Sequence, residues 1–298
     1  MECDVLVIGA GPAGLSAAGY AARAGYSVVA IDSLAPGGQL LYIDEIENYP
    51  GYRSTSGYAL AESFEKQAED FGVRIEYLEA LSIEKNGNGF TIRTSGEDIK
   101  AKAVIFASGA RHRHLGCKGE EEYQGKGVSY CATCDGPFFK GKRIAVVGGG
   151  DTALTDAIYL SKLGSEIILI HRRNEFRAQK VLQDRIRARE NVRFELGKTV
   201  EAINGDGKRV TSITLSDGSE IAADAIFIFV GIIPNSEILE GFADLDHGFV
   251  ITDDKMRTSV PGLFAAGDVR TTPFRQVVTA TGEGAIAALS ADEYIQTL

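Results

Sequence analysis

The fold of this chain is decided by a short stretch near its start, Asp4-Val5-Leu6-Val7-Ile8-Gly9-Ala10-Gly11-Pro12-Ala13-Gly14. The apolar run at its beginning predicts a buried strand, and glycines at the spacing Gly-x-Gly-x-x-Gly follow directly. An alanine-rich segment with a helical pattern comes next. A glycine turn between a strand and a helix is the fingerprint of a Rossmann-type dinucleotide-binding unit.

In such a unit the glycines make the tight turn, admit a pyrophosphate and let the helix pack on the strand. The pyrophosphate lies at the helix N-terminus, where free N–H groups favour an anion. Asp32 ends the next predicted strand, residues 27–31, about 20 residues past the motif, where a carboxylate binds a ribose hydroxyl. The alternative is a glycine-rich turn without a ligand.

The same pattern occurs a second time. The predicted strand Arg143–Val147 runs into Gly148-Gly149-Gly150-Asp151-Thr152-Ala153, and a helical pattern follows. The next predicted strand, residues 166–170, ends in His171-Arg172-Arg173, and Arg177 comes shortly after. Arginines at this strand end accommodate the 2′-phosphate of NADP, whereas a carboxylate there favours NAD. The alternative is a solvated basic cluster. Two such units imply two nucleotide sites.

The rest of the chain completes an α/β pattern. Residues 90–94 and 210–215 alternate apolar and polar side chains, and residues 103–107 and 225–230 are apolar throughout, so all four predict strands. A further strand is predicted after Gly262 and a final helix over residues 282–295.

Composition and charge exclude some functions. The formal net charge of −10 argues against nonspecific nucleic-acid binding, which needs a basic face. The sequence shows neither a signal-peptide pattern nor an apolar run of membrane-spanning length. We therefore expect a cytoplasmic protein with neither nucleic acid nor membrane as a partner.

Cys131-Ala132-Thr133-Cys134-Asp135 is the candidate for redox chemistry. Cysteines at this spacing can close a disulfide, and a thiolate there can attack a partner disulfide while its neighbour resolves the mixed disulfide. Asp135 could shuttle a proton.

Other interpretations of these cysteines stay open. A metal could be held with His112, His114 and Cys117, but this set matches structural zinc sites poorly, and we predict no metal. Buried, inert cysteines are another possibility. Cys3 and Cys117 stand alone and are most simply core residues, and the run Glu120-Glu121-Glu122 is most simply a solvated face.

Taken together, the motifs resemble one family, the low-molecular-weight thioredoxin reductases, over essentially the whole chain. The resemblance rests on the order and spacing of Gly9–Gly14, Gly37-Gly38-Gln39-Leu40, Glu47–Gly51, Ala107-Ser108-Gly109-Ala110, Cys131–Gly136, Gly148–Ala153, His171–Arg173, Phe176-Arg177-Ala178, Gly267-Asp268-Val269 and Arg275-Gln276. Ser108 replaces the threonine usual in the Ala-Thr-Gly motif. The arginine cluster, which ferredoxin- or deazaflavin-dependent relatives lose, is intact.

The resemblance implies the roles of individual residues. Cys134 would face the flavin, Cys131 would attack the partner, and Asp135 would be the acid–base. The FAD site would comprise Gly9, Gly11, Pro12, Ala13, Gly14, Asp32, Gly37, Gly38, Gln39, Leu40, Asn48, Ala107, Gly109, Gly267, Asp268, Val269, Arg275, Gln276 and Val277. The NADPH site would comprise Gly148, Gly150, Asp151, Thr152, His171, Arg172, Arg173 and Arg177. The chain would be a homodimer.

The expected fold is α/β, with two Rossmann-like three-layer domains, the NADPH domain being inserted into the FAD domain. We expect the FAD domain over residues 1–112 and 244–298, and the NADPH domain with the dithiol over residues 113–243. The expected function is transfer of electrons from NADPH through FAD and Cys131/Cys134 to a thioredoxin-like protein. The alternatives are a ferredoxin–NADP reductase-like flavoprotein, the flavoprotein of a peroxide-reducing system, and a non-catalytic nucleotide-binding sensor.

Overall fold

A computed structural model of the chain describes residues 1–43 and 45–298. Its strands are β1 Glu2–Ile8, β2 Val28–Asp32, β3 Arg74–Tyr77, β4 Ala80–Asn86, β5 Gly89–Thr94, β6 Ile99–Phe106, β7 Ala110–His112, β8 Val128–Ser129, β9 Arg143–Val147, β10 Glu166–His171, β11 Val192–Leu196, β12 Val200–Gly205, β13 Val210–Leu215, β14 Glu220–Ala222, β15 Ala225–Ile228, β16 Ile232–Pro234, β17 Leu245–Asp246, β18 Phe249–Val250 and β19 Leu263–Ala265.

The α-helices are α1 Pro12–Arg23, α2 Gly57–Asp70, α3 Ala132–Asp135, α4 Asp151–Leu160, α5 Lys180–Arg187 and α6 Val277–Ile295. Short 3₁₀ turns cover Gly38–Tyr42, Gly136–Phe139, Glu237–Leu239 and Gly267–Val269. Helix α1 begins at Pro12, inside the glycine motif rather than after it, because Pro12 suits the first helical position and Gly11 caps the helix.

The chain divides into two compact units, Met1–Arg111 with Ile233–Leu298, and His112–Ile232. The second unit is thus an insertion in the first. Residues 233–243, which the sequence analysis placed with the inserted domain, lie in the first unit. Their contacts explain this, because Leu239 is fully buried in the core that contains the apolar side chains of β1 and β6.

In the first unit the sheet has the strand order β3-β2-β1-β6-β5-β4, and β19 also pairs with β6. Strands β1, β2, β3, β6 and β19 are parallel to one another. Strand β5 pairs antiparallel with β6, and β4 pairs antiparallel with β5. One face of β1, with Val5 and Val7, packs in a core with α1 and α6. The other face, with Leu6, packs with the β4–β5 hairpin. The layers are therefore helix, sheet and hairpin.

The second unit repeats this arrangement. Strands β11-β10-β9-β15-β8 form a parallel sheet in that order. One face shares a core with α4 and α5, and the other packs on the antiparallel sheet β12-β13-β14. In both units the buried stretches of the central parallel strands are apolar because both of their faces are covered; these stretches are residues 5–8, 103–106 and 144–147.

The predicted fold class and the predicted strands are confirmed. Strands β9 and β13 have the predicted ends, and Asp32 is the last residue of β2. Helix α6 begins at Val277, five positions before the predicted 282, although the valines and threonines there are weak helix formers. A reciprocal capping box between Gln276 and Thr279 accounts for the earlier start.

Candidate active site

The first glycine turn is shaped by close backbone approaches. Gly9 has φ +103°, and a Cβ there would lie 2.3 Å from the carbonyl oxygen of Ala107. A Cβ on Gly14 would lie 1.8 Å from the carbonyl oxygen of Gly9. Around the Cβ position of Gly11, by contrast, no heavy atom of the described residues lies within 4 Å. The turn is therefore closed on the protein side and open at the N-terminus of α1, as a pyrophosphate site requires.

Further predicted residues converge on this turn. The backbone N–H of Ala10 donates to Oδ2 of Asp32 at 2.8 Å, and its carbonyl accepts from the N–H of Gly37 at 2.8 Å. Oδ1 of Asp32 accepts from the N–H of Leu34 at 3.0 Å. A Cβ on Gly38 would lie 3.3 Å from the Cα of Gly11. The structure thus brings the segments around Gly11, Asp32 and Gly38 together.

The Gly267–Val269 turn joins the same region. A Cβ on Gly267 would lie 2.9 Å from the Cβ of Ala13 on α1. The pKa of Asp268 is raised to about 6, mainly by burial; Arg275 opposes this rise and Glu283 adds to it. Oε2 of Glu283 accepts from the N–H of Gly267 at 2.8 Å, and Oε1 pairs with Arg270 at 2.6 Å. The sequence analysis missed Glu283, although a carboxylate in the Gly- and Ala-rich helix α6 is a usable signal.

Arg275 is the strongest indication that this region holds a ligand. Its guanidinium lies over the ring of Phe249, 4.5 Å from the centroid. Its Nε is buried and has no hydrogen-bond partner among the described residues. Because a buried donor without a partner is costly, the site fits a ligand that supplies an acceptor.

Hydrogen bonds fix several other predicted residues of the first unit. Nδ2 of Asn48 donates to Oε1 of Gln276 at 3.0 Å, and Nε2 of Gln39 donates to the carbonyl of Ala110 at 2.6 Å. The backbone around Ser108 is held by Asn235, whose Nδ2 donates to the Ser108 carbonyl at 2.9 Å. The other predicted positions are Leu40, Ala107, Gly109, Val269 and Val277, of which Leu40, Ala107 and Val269 are buried.

The second glycine turn repeats the geometry of the first. A Cβ on Gly148 would lie 2.5 Å from the carbonyl oxygen of Phe229, whereas Gly150, which caps α4, has no heavy atom of the described chain within 4 Å of its Cβ position. Asp151 accepts from the backbone N–H of Gln179 at 2.7 Å and from its side chain at 3.0 Å. Thr152 is exposed beside it.

The basic cluster is tied to this turn. The N–H of Arg177 donates to the carbonyl of Gly149 at 2.8 Å. The side chains of Arg172, Arg173 and Arg177 are exposed. His171 is buried, and its Nε2 has no hydrogen-bond partner within the described ranges 1–43 and 45–298. Burial lowers the pKa of His171, and the charges of Arg177, Arg172 and Arg173 lower it further against a hydrogen bond to the Glu175 backbone, so the neutral ring is favoured. The exposed guanidinium groups suit a phosphate.

Cys131 and Cys134 form a disulfide, with their Cα atoms 5.3 Å apart. Cys131 caps the short helix α3, and its Sγ accepts from the N–H of Cys134 at 3.3 Å. Asp135 ends the same helix, and its Oδ2 accepts from the hydroxyl of Ser129 at 2.5 Å. The cysteines are thus bonded to each other, with the predicted acid–base beside them.

The predicted solvated face is confirmed for Glu121 and Glu122, which are exposed, but the prediction is wrong for Glu120. Its side chain is only 2% exposed and accepts from the backbone N–H groups of Leu115 and Gly116, at 2.9 and 2.7 Å. It also accepts from the hydroxyl of Tyr130 at 2.8 Å. His114 lies 3.0 Å from the same hydroxyl. These three donors to one side chain explain why Glu120 can be buried.

Comparisons with known proteins agree with this geometry. A family model described as pyridine nucleotide-disulphide oxidoreductase matches residues 3–284. The thioredoxin reductase of Treponema pallidum is 48% identical over 303 positions, which cover 100% of this chain and 98% of that protein. The chain belongs to the thioredoxin reductase family. Among its other members, the Bacillus subtilis thioredoxin reductase is 42% identical, over 99% of this chain and 95% of that one.

A solved member of the thioredoxin reductase family has the same fold. The crystal structure of the Streptococcus pyogenes thioredoxin reductase superimposes with a TM-score of 0.96 at 43% identity, covering 100% of this chain and 99% of the other. The resemblance drawn from the sequence, the fold class and the assignment to an oxidoreductase with a redox-active disulfide are confirmed. Within the described residues, no helix is long and apolar enough to cross a membrane.

Proposed function

We propose that this chain transfers electrons from NADPH, through FAD, to the Cys131–Cys134 disulfide and then to the disulfide of a thioredoxin-like protein. The observation that carries the proposal is the disulfide itself, which lies in the same compact unit as the second glycine turn and its arginines. A ferredoxin–NADP reductase-like flavoprotein or a nucleotide-binding sensor would need the glycine turns but not this dithiol.

The first unit would hold FAD. The pyrophosphate would lie at the N-terminus of α1, where Gly11 leaves open space, and Asp32 would accept from the adenosine ribose. Asp268 and Gln276 would bind the ribityl chain, and Arg275 would donate its Nε–H, which has no acceptor among the described residues. Bound FAD would supply hydride acceptance and two-electron transfer. The other residues proposed for this site are Gly9, Pro12, Ala13, Gly14, Gly37, Gly38, Gln39, Leu40, Asn48, Ala107, Gly109, Gly267, Val269 and Val277.

The second unit would hold NADPH. Its pyrophosphate would lie at the N-terminus of α4, next to Gly150 and Thr152. The exposed guanidinium groups of Arg172, Arg173 and Arg177 would bind the 2′-phosphate in bidentate fashion. NADH lacks this phosphate. Gly148 and Asp151 would shape the turn, and neutral His171 would offer its Nε2 to the adenosine end.

The dithiol would pass its electrons on by thiol–disulfide exchange. Deprotonated Cys131 attacks one partner sulfur, so a mixed disulfide forms, the partner disulfide breaks and the leaving sulfur takes a proton. Deprotonated Cys134 then attacks the Sγ of Cys131, which re-forms the internal disulfide and releases the second partner thiol. Two electrons and two protons move to the partner. Asp135 would hold a proton between these transfers.

We also propose that two copies of the chain form a homodimer. Helix α6 carries an exposed apolar stripe of Val278, Gly282, Ile286 and Leu289, whose spacing keeps it on one face of the helix. Ile286 is 41% exposed and Leu289 is 60% exposed. Contiguous apolar side chains at a surface are typical of an interface, and a two-fold axis would set the stripe against its copy.

A cytoplasmic location is part of the same proposal. Cys3 and Cys117 are thiols outside the disulfide, as expected in a reducing compartment. Burial raises the pKa of Cys3 to about 12, which makes that thiol inert. Cell fractionation with an antibody to the chain tests the location directly.

The deciding experiment is NADPH oxidation by the FAD-loaded chain with a panel of redoxins and a small aromatic disulfide. We expect oxidation that depends on a redoxin and is lost when Cys131 or Cys134 is replaced by serine. Electron transfer to ferredoxin or a dye that is equally fast in both serine variants, with no redoxin reduction by the unmodified chain, would favour the ferredoxin–NADP reductase-like alternative. Absence of any NADPH oxidation would favour the sensor.

A further inference from the structure

Ser129 lies at a fixed point next to the redox disulfide. It is the last residue of β8, where it pairs in register with Phe227 of β15, and it is only 4% exposed. Because the sheet holds its backbone, its hydroxyl has a defined position relative to the turn that follows. The sequence analysis did not single this serine out.

The Ser129 hydroxyl joins two parts of the redox motif. Its oxygen accepts from the backbone N–H of Cys131 at 3.1 Å. Its one proton has two acceptors in reach, Oδ2 of Asp135 at 2.5 Å and the carbonyl of Cys131 at 3.4 Å. The Asp135 oxygen is the nearer acceptor by far, and an ionised carboxylate accepts more strongly than a carbonyl, so Asp135 takes the proton. Ser129 thereby links the backbone of one cysteine to the acid beside the other.

We infer that Ser129 is a positioning residue for the proton transfers of the dithiol, acting through Asp135. This rests on the proposed function. The hydroxyl holds the carboxylate within reach of the sulfur chemistry and, by donating to it, stabilises its ionised form, which can accept a thiol proton. Without the hydroxyl, the carboxylate is free to turn away and a larger fraction of it is protonated at a given pH.

Ser129→Ala tests this role. We expect redoxin-linked kcat near pH 7 to fall on the order of tenfold, and the acid limb of its pH profile to move to higher pH. Reduction of a flavin-directed dye by NADPH, which bypasses the dithiol, should keep its rate. Ser129→Thr keeps the hydroxyl and should restore the position of the acid limb.

Ser161→Ala is the matched control, because Ser161 is also a buried serine of the second unit and donates to the carbonyl of Ile158 on α4. It should leave the acid limb unchanged. The inference would be overturned if the pH profile of Ser129→Ala superimposed on that of the unmodified chain. It would also be overturned if the acid limb moved equally in Ser129→Ala and Ser129→Thr. If the unmodified chain reduces no redoxin, it is the proposed function that fails.

Discussion

The carboxylate of Asp32 accepts a hydrogen bond from the backbone N–H of Ala10 at 2.8 Å. This contact joins the end of β2 to the glycine turn after β1. Ala10 is fully buried, so its N–H cannot turn to bulk solvent. A carboxylate offers about four lone-pair positions, and among the described residues the N–H groups of Ala10 and Leu34 use two of them. Asp32 can therefore hold the turn and still accept from a ribose.

The first prediction concerns this contact. Asp32→Ala leaves the buried N–H of Ala10 without its acceptor, so we expect the chain to lose about 1–3 kcal/mol of stability and to retain less FAD. Denaturant unfolding and flavin content after gel filtration measure the two effects. Asp70→Ala, at an exposed position of α2, is the control and should change neither. Full flavin occupancy with unchanged stability in Asp32→Ala would contradict the assignment.

The arginine cluster predicts the choice of nucleotide. Each charged hydrogen bond to the 2′-phosphate contributes about 1.5–3 kcal/mol. Replacing Arg172 and Arg173 together by alanine should therefore lower kcat/KM for NADPH at least about 100-fold and change that for NADH little. Arg189→Ala, an exposed arginine after α5, should leave both unchanged. Similar kcat/KM for NADPH and NADH in the unmodified chain would refute the NADPH assignment.

Serine variants of the two cysteines should differ in their absorption spectra and in the disulfides they trap. The proposed mechanism assigns Cys134 to the flavin and Cys131 to the partner. Under that assignment Cys131→Ser leaves one thiolate for the oxidised ring, and a long-wavelength charge-transfer band is expected. Cys134→Ser should lack this band and should trap a mixed disulfide with a redoxin that has no resolving cysteine of its own. Absorption spectra and non-reducing gels provide the readouts. Reversed spectra would exchange the two roles, and full redoxin-linked turnover in both variants would end the dithiol mechanism.

Asp268 predicts how the stability of the FAD-free chain depends on pH. Its pKa is raised from 3.8 to about 6, mainly by burial. Between these values the folded state holds a proton that the unfolded state has released, so the free energy of unfolding falls as pH rises through this window. Above pH 6 the full cost of burying the ionised Asp268 carboxylate lowers the free energy of unfolding by an amount on the order of 1–3 kcal/mol.

Asp268→Asn removes this titration. At pH 7 the FAD-free variant should therefore gain stability over the FAD-free unmodified chain, and the gain should shrink towards pH 4. Denaturant unfolding at several pH values, after removal of the flavin, measures it. A stability difference that stays the same from pH 4 to 7 would show that Asp268 does not titrate in this range.

The dimer has its own test. Ile286→Asp and Leu289→Asp place charges in the apolar stripe of α6, and light scattering should show the mass fall from two chains to one. Ile251→Asp is a matched control, because Ile251 is an exposed apolar residue of the same unit outside α6. A dimer that survives both α6 changes would place the interface elsewhere.

Most of the fold follows from the sequence because its signals are local. Strands β1 and β9, and the glycine turns after them, need only an apolar run and a glycine spacing within a dozen residues. The start of α6 was predicted too late because it depends on a side-chain cap between Gln276 and Thr279 rather than on propensity. Leu239 belongs to the first unit through packing with distant strands, which no local pattern encodes.

The candidate site was predictable where residue type alone carries the chemistry. Cys131, Cys134 and the arginines are of this kind. Ser129 and Glu120 are not, because a serine or a glutamate is usually a surface residue, and only the tertiary contacts show that both are buried. Their roles depend on Asp135 and Tyr130 lying within hydrogen-bond distance, which sequence separation does not report.

The inserted unit leaves the first unit at β7 and returns at β16, and these two short strands pair with each other. Beyond the insertion, Leu263 and its neighbours in β19 pair with Val104 and its neighbours in β6, so the sheet of the first unit is completed by its own residues. In evolutionary terms, the inserted unit can be exchanged without changing the strand register in the sheet of the first unit. Under the proposed cofactor assignment, preference for the electron donor can therefore change in the inserted unit while selection preserves the first unit.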